Sequence, residues 1–163
     1  MTWNVLLMDT DERKKLIAQY KDGYAAIAEA LLKITPEELD ARPAPNKWTT
    51  REIIHHLADS ETTSAIRLRR LLAEERPQIH GYDQEEFARR LHYERPHEAS
   101  LELFRYARMA TAELLDCLGP ADWVREGTHS ESGRYTVEDW LRIYAEHAHK
   151  HARQILVARA AAK

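Results

Sequence analysis

Cysteine is nearly missing from this chain: Cys117 is the single one in 163 residues, and no Cys-x-x-Cys spacing occurs. That excludes a disulfide framework and a thiolate zinc site, and it fits a reducing compartment. Long apolar runs are lacking too. No stretch approaches the roughly 18 residues that a membrane span needs. Residues 1–9 carry no basic lead, only a short apolar run, and no small-residue cleavage pattern. The expectation is a soluble, cytoplasmic protein with no membrane partner. Charge of one sign is not concentrated either, since 24 basic and 27 acidic side chains are interspersed and leave a formal net charge of -3. The cluster Arg67, Arg69, Arg70 is broken by Leu68 and followed by Glu74 and Glu75, so no basic stripe forms for a phosphate backbone. Nucleic acid is not an expected partner. Glycine and proline are few, at 5 and 6, and fall mainly between segments with helical periodicity.

What is present reads as helix almost throughout. The length suits one domain, residues 1–163, able to bury on the order of 70% of the surface its unfolded chain exposes. A long helix is expected over residues 9–33, a short turn at Thr35 and Pro36, and a connecting loop over residues 42–46. A second long helix spans 49–75, a shorter one capped by Asp83 spans 82–93, and a third long one spans 96–118, ended by Gly119 and Pro120. Residues 125–134 read as a polar loop at the mouth of a site, and the final helix covers 136–159. No segment shows sustained strand alternation. The fold class is all-α, a bundle of four long helices with short extra ones.

The two halves echo one another. Thr49 and Thr136 each precede a carboxylate by three residues, Glu52 and Asp139, which is the spacing of a capping box, and each follows an aromatic residue, Trp48 or Tyr135. Leu31-Leu32 before Thr35-Pro36 resembles Leu114-Leu115 before Gly119-Pro120. The chain therefore reads as two related helical hairpins.

Histidine spacing gives this scaffold a chemistry. His147 and His151 stand four apart, hence one above the other on a helix face. His151 falls in the apolar stripe Val137, Leu141, Tyr144, Ala148, Ile155, and His147 lies on its flank. His149 belongs to the solvated row Arg142, Glu146, Arg153 and is discounted as a ligand. Counted from the two threonine caps, His56 is seven residues on, His147 eleven and His151 fifteen, which brings all three to similar faces of their helices. His55 points about a quarter-turn away. Two buried imidazoles close together can share a cation instead of each finding separate partners.

Other polar residues carry smaller readings. Asp59, one turn after His56, is placed either to orient an imidazole as an outer carboxylate or at the surface. Glu52 is explained by its capping box. Glu146 does not complete a His-Glu-x-x-His motif. His80, His92, His97 and His129 read as surface residues, with His129 a candidate for the mouth. Trp48 and Tyr82 read as core aromatics or pocket walls. No nucleophilic triad or glycine-rich phosphate loop is evident.

Taken together, Trp48-Thr49-x-Arg51-Glu52, then His55-His56-Leu57-Ala58-Asp59-Ser60, and finally His147-x-x-x-His151 resemble the DinB-like superfamily of metal-binding helical bundles, and within it the YfiT branch. That branch holds proteins described as metal-dependent hydrolases and the bacillithiol transferases. The resemblance extends over nearly the whole chain, including Arg76-Pro77-Gln78-Ile79 and Gly81-Tyr82-Asp83. It implies that His56, His147 and His151 bind one divalent cation, nickel or zinc, and that the protein is a homodimer. After His151 many relatives have Arg-Gly-Gln where this chain has Ala152-Arg153-Gln154.

Three neutral imidazoles leave a cation its full charge and an open position, the layout of a catalytic site. Such a centre acidifies a water, as in a hydrolase, or a small-molecule thiol, as in an S-transferase. Periodicity does not choose between them, and the resemblance favours the transferase. A non-catalytic metal-binding stress protein is the third reading.

Overall fold

Three of the four long helices begin at a side-chain cap. In the computed structural model, which describes residues 8–162, helix α1 spans Thr10–Ala30, and the Asp9 side chain accepts from the Glu12 N–H. The short α2, Pro36–Asp40, opens on a Thr35/Glu38 capping box. Helix α3, Thr50–Ala73, opens on the Thr49/Glu52 box, and α7, Val137–Ala160, on the Thr136/Asp139 box. Between them lie α4, Gln84–Arg90, capped by Asp83, then α5, Glu98–Asp116, and the single turn α6, Pro120–Trp123. The reciprocal bonds of each box satisfy backbone N–H groups that a helix start leaves orphaned. The N-terminal residues 1–7, on which the reading of no export signal rests, lie outside the described residues.

Chain reversals after three helices use residues other than glycine at positive φ. Lys33, Arg76 and His92 stand at φ 55°, 46° and 55°, and the last of these stops α4 short of the expected residue 93.

The four long helices form a square in the order α1, α7, α3, α5. The two echoing halves therefore interleave: α1 packs on α7 and α3 on α5, so the long helices of one half occupy a diagonal. The periodic seam of α7 is buried as its spacing demands, at Val137, Trp140, Leu141, Tyr144, Ala148, His151 and Ile155. The apolar interior divides in two. One cluster gathers Tyr20, Leu68, Leu71, Trp140, Leu141 and Tyr144, and the other Ile27, Ile53, Leu57, Phe104, Ala148 and Ile155.

The segment read as a polar loop is instead a hairpin. Strand β2, Glu126–His129, pairs antiparallel with β3, Gly133–Thr136, and parallel with β1, Gln78–Ile79. Strands of two and four residues are too short for alternation to register in composition. Their signal lies in the turn, where Gly133 at φ 77° supplies a left-handed conformation. His129, expected at the surface, is buried on this sheet at 9% exposure and packs against Tyr135.

Between the two apolar clusters lies a charged layer. Arg108 of α5 and Glu61 of α3 form an ion pair at 2.8 Å with side chains 2% and 0% exposed. The Tyr20 hydroxyl of α1 donates to the other Glu61 oxygen. Arg108 also donates to the carbonyls of Tyr20 at 2.7 Å and of Tyr144, on α7, at 3.3 Å, and its guanidinium lies 4.1 Å from the Tyr20 ring centroid. All four long helices thus meet at one side chain. Gly23 makes this possible, since a Cβ there would stand 2.2 Å from Arg108 Nη1 and 2.8 Å from the Ala148 Cβ.

Removing one partner of such a pair strands the other in the interior. Arg108→Met is expected to destabilise by about 3–5 kcal/mol in urea unfolding, whereas Glu61→Leu combined with Arg108→Met recovers most of that loss. Equal destabilisation by the single and double variants would show that packing, not the unpaired charge, sets the cost.

Candidate metal centre

His56 comes from the second turn of α3, and His147 and His151 from successive turns of α7, where the two helices lie side by side. The three side chains face one another. His147 Nε2 stands 3.3 Å from His56 Nε2 and 3.2 Å from His151 Nε2, and one ligand nitrogen from each ring lies within 4.8 Å of the others. His56 and His151 are buried, and His147 keeps partial exposure.

These distances fit a shared cation. Nitrogens about 2.1 Å from a first-row divalent ion stand about 3.4 Å apart in a tetrahedron and about 3.0 Å apart at adjacent octahedral corners. The observed 3.2 and 3.3 Å fall between. Proton bookkeeping points the same way. A neutral imidazole nitrogen either carries its proton or offers its lone pair, so three converging nitrogens cannot all be satisfied pairwise. A cation accepts all three lone pairs at once. The outward Nδ1 atoms of all three rings are buried without a hydrogen-bond partner among the described residues.

The electrostatics keep the rings neutral. Burial, aided by the neighbouring imidazole of His151, pushes His56 down to about 3. Burial lowers His151 to about 4, against an opposing contribution from Gln154. His147 is held well below the ordinary histidine range by burial, then by His151 and His56, with Arg108 adding to the same direction. Three lone pairs are therefore available at neutral pH without displacing a proton.

Aromatic rings wall the centre. The Trp48 ring lies 4.7 Å from that of His56, and Tyr144 stands edge-on to His147 at 5.8 Å. Trp48 also lines an open cleft of about 700 Å³ together with Arg42, Asn46, Glu52 and Glu85, a cleft whose lining includes no imidazole of the triad.

The remaining candidates sit elsewhere. Asp59 accepts from the Tyr93 hydroxyl at 2.6 Å, and no contact with His56 is formed; helical projection placed the carboxylate one turn on but did not reveal that a loop tyrosine engages it. His55 is buried against Ser100 Oγ at 2.8 Å and the Arg95 carbonyl at 3.1 Å, a structural role. His149 bonds the Gln19 carbonyl at 2.9 Å, away from the triad. Glu52 caps α3 and pairs with Arg42. Sequence reading passed over Glu61 and Arg108, which lie beneath the centre. Nothing local marks them, because their partners all lie far along the chain, 47 residues apart for the ion pair itself.

The comparisons with known proteins accord with this geometry. A family model described as the DinB superfamily matches residues 19–155. A protein of Oceanobacillus iheyensis named "putative metal-dependent hydrolase" is 34% identical over 139 residues, covering 85% of this chain and 81% of its own. YfiT of Bacillus subtilis, which carries the same description, is 29% identical, with 89% and 83% covered. The solved structure of Bacillus subtilis YfiT, described as "a probable metal-dependent hydrolase with an unusual four-helix bundle topology", superposes with a TM-score of 0.85 at 27% identity. It covers 94% of this chain and 89% of that one.

The depressed imidazoles have a thermodynamic consequence. Their folded-state pKa values lie below the unfolded value of about 6.5, so between pH 6.5 and 4 the unfolded chain binds more protons than the folded one. Stability of the metal-free protein is full above pH 6.5 and falls as pH drops toward 4, by up to about 1.4 kcal/mol per group per pH unit. His55 and His129, lowered by burial, add to the same slope. Denaturant melts across this range should show the decline, and His56→Gln should flatten it by about one proton. A pH-independent stability between 4 and 6.5 would contradict the assignment of neutral rings.

Proposed function

The chain belongs to the DinB superfamily, and from that premise we propose that it is a divalent-metal-dependent enzyme whose activity is transfer of a low-molecular-weight thiol to an electrophilic carbon. The observation that carries the metal is the convergence of three neutral imidazole nitrogens at 3.2 and 3.3 Å. Neutral imidazole suits late first-row ions, and we infer nickel or zinc.

The chain's own residues supply binding and shielding. His56, His147 and His151 would hold the ion, with Trp48 packed against His56 and Tyr144 against His147, fixing ring orientation and limiting water on those sides. Partial exposure of His147 leaves an approach for substrate. When bound, the cation supplies the positive charge that favours the thiolate form of a substrate. In the transfer the sulfur forms a bond to carbon, the leaving group departs with its electron pair, and the thiol proton passes to solvent.

A thiol with a pKa of about 8.5 needs little help to ionise beside a cation, whereas water at about 15.7 needs much more and gains from a neighbouring base. Asp59, the carboxylate one turn from His56, is already engaged by Tyr93. That favours the thiol. The names of the relatives favour a second reading, hydrolysis by an acidified water.

Elemental analysis of purified protein is expected to give one ion per chain, with His151→Ala losing it while retaining helical circular dichroism. Thiol transfer to an alkyl halide should require the ion and fall in that variant by more than the roughly 10- to 100-fold typical of losing an outer partner of a metal ligand. Ion-dependent ester cleavage without thiol transfer would establish the hydrolase. Stabilisation by metal with neither reaction would leave a non-catalytic metal-binding protein.

A further inference from the structure

Three turns along α3 from His56, where α3 packs on α7, lies a cluster of side-chain hydrogen-bond donors without an ion-paired carboxylate among the described residues. Arg67 follows His56 by eleven residues, about three full turns, and so shares its face of α3. Four buried or partly buried arginines elsewhere pair with carboxylates: Arg13 and Glu138 at 2.7 Å, Arg51 and Asp40 at 2.7 Å, Arg108 and Glu61 at 2.8 Å, Arg159 and Glu38 at 2.8 Å. Arg67 instead donates to the Tyr144 hydroxyl oxygen at 3.0 Å and to the His80 carbonyl at 2.5 Å, and its Nε is buried without a partner. Its charge is uncompensated by any ion pair among the described residues.

The neighbours are donors as well. Tyr135 is 4% exposed, and its buried hydroxyl has no partner. Tyr144 receives a bond from Arg67 and retains its own proton. A phenol carries its proton at neutral pH, so each hydroxyl can donate. The Tyr82 ring lies 5.9 Å from the Arg67 guanidinium, and its hydroxyl is within hydrogen-bonding reach of Ser60, one turn beyond His56. Tyr144 in turn touches His147. Buried donors left unpaired are costly, and a cluster of them beside an unpaired guanidinium is complementary to an anion.

We propose that Arg67, Tyr135 and Tyr144 form a subsite for a carboxylate carried by the substrate, so that the enzyme selects carboxylate-bearing thiols. One guanidinium with neutral phenols matches a single negative charge better than a phosphate dianion. Tyr144 joins the two places, its ring against His147 and its hydroxyl on Arg67, so the bound carboxylate and the reacting sulfur would belong to two ends of one small molecule. The assignment rests on the thiol-transfer reading, and the test separates the two.

Cobalt-loaded protein is titrated with N-acetylcysteine and with N-acetylcysteamine, which lacks the carboxylate, and thiol binding is followed by the cobalt absorption spectrum. N-acetylcysteine is expected to bind about 10- to 100-fold more tightly, the range of a charge-assisted hydrogen bond. Arg67→Gln should abolish the difference without changing the affinity for N-acetylcysteamine, and Arg67→Lys should keep part of it. Equal binding of the two thiols by the wild type, or equal weakening of both in Arg67→Gln, overturns the subsite. If neither thiol alters the spectrum, the thiol reading itself fails. The subsite then stands only if N-acetylalanine raises the melting temperature of the wild type and not of Arg67→Gln; no rise overturns it.

Discussion

Arg108 is where the four long helices of this bundle come into register. Its guanidinium reaches the Tyr20 carbonyl on α1, Glu61 on α3 and the Tyr144 carbonyl on α7, all from α5. An arginine inside a bundle demands that its charge be answered and its donors be satisfied. Meeting both demands fixes the rotation of each helix about its axis. That rotation decides where His56 and His147 point, because His56 lies five residues before Glu61 and His147 three after Tyr144. Glu61 pairs with Arg108 within the layer, while the Arg108 charge still adds to keeping His147 unprotonated.

The arrangement of two apolar clusters around this layer clarifies how a helical bundle keeps polar chemistry inside. A continuous apolar seam would have made the imidazoles isolated intrusions. Here they lie close to a plane of hydrogen-bonded groups, with Trp48 and Tyr144 forming the boundary on either side.

Much of the scaffold was legible in the residues. Threonine caps followed by Glu52 and Asp139 located the starts of α3 and α7, and counting from those caps brought three histidines from distant segments to one place. Local rules suffice there because capping and periodicity are local. The small sheet escaped, since strands of two and four residues leave no periodic trace and β1 pairs with a segment 50 residues on. For Asp59 the spacing leaves both an imidazole and the surface open, and its partner Tyr93 is not foreseen because it arrives from outside the helix. Glu61 and Arg108 read as ordinary charged helix residues; only the closed bundle reveals that both face inward. Interactions made across the fold, between residues with no special spacing, are the part that sequence patterns do not encode.

The contact between Trp48 and His56 gives the molecule an optical property of its own. An indole 4.7 Å from the His56 ring would emit beside any ion that ring held. An ion with a partly filled d shell, such as nickel, would quench the emission on contact, whereas closed-shell zinc offers no such route. Emission from this side chain would thus distinguish an open-shell from a closed-shell ion held by that ring.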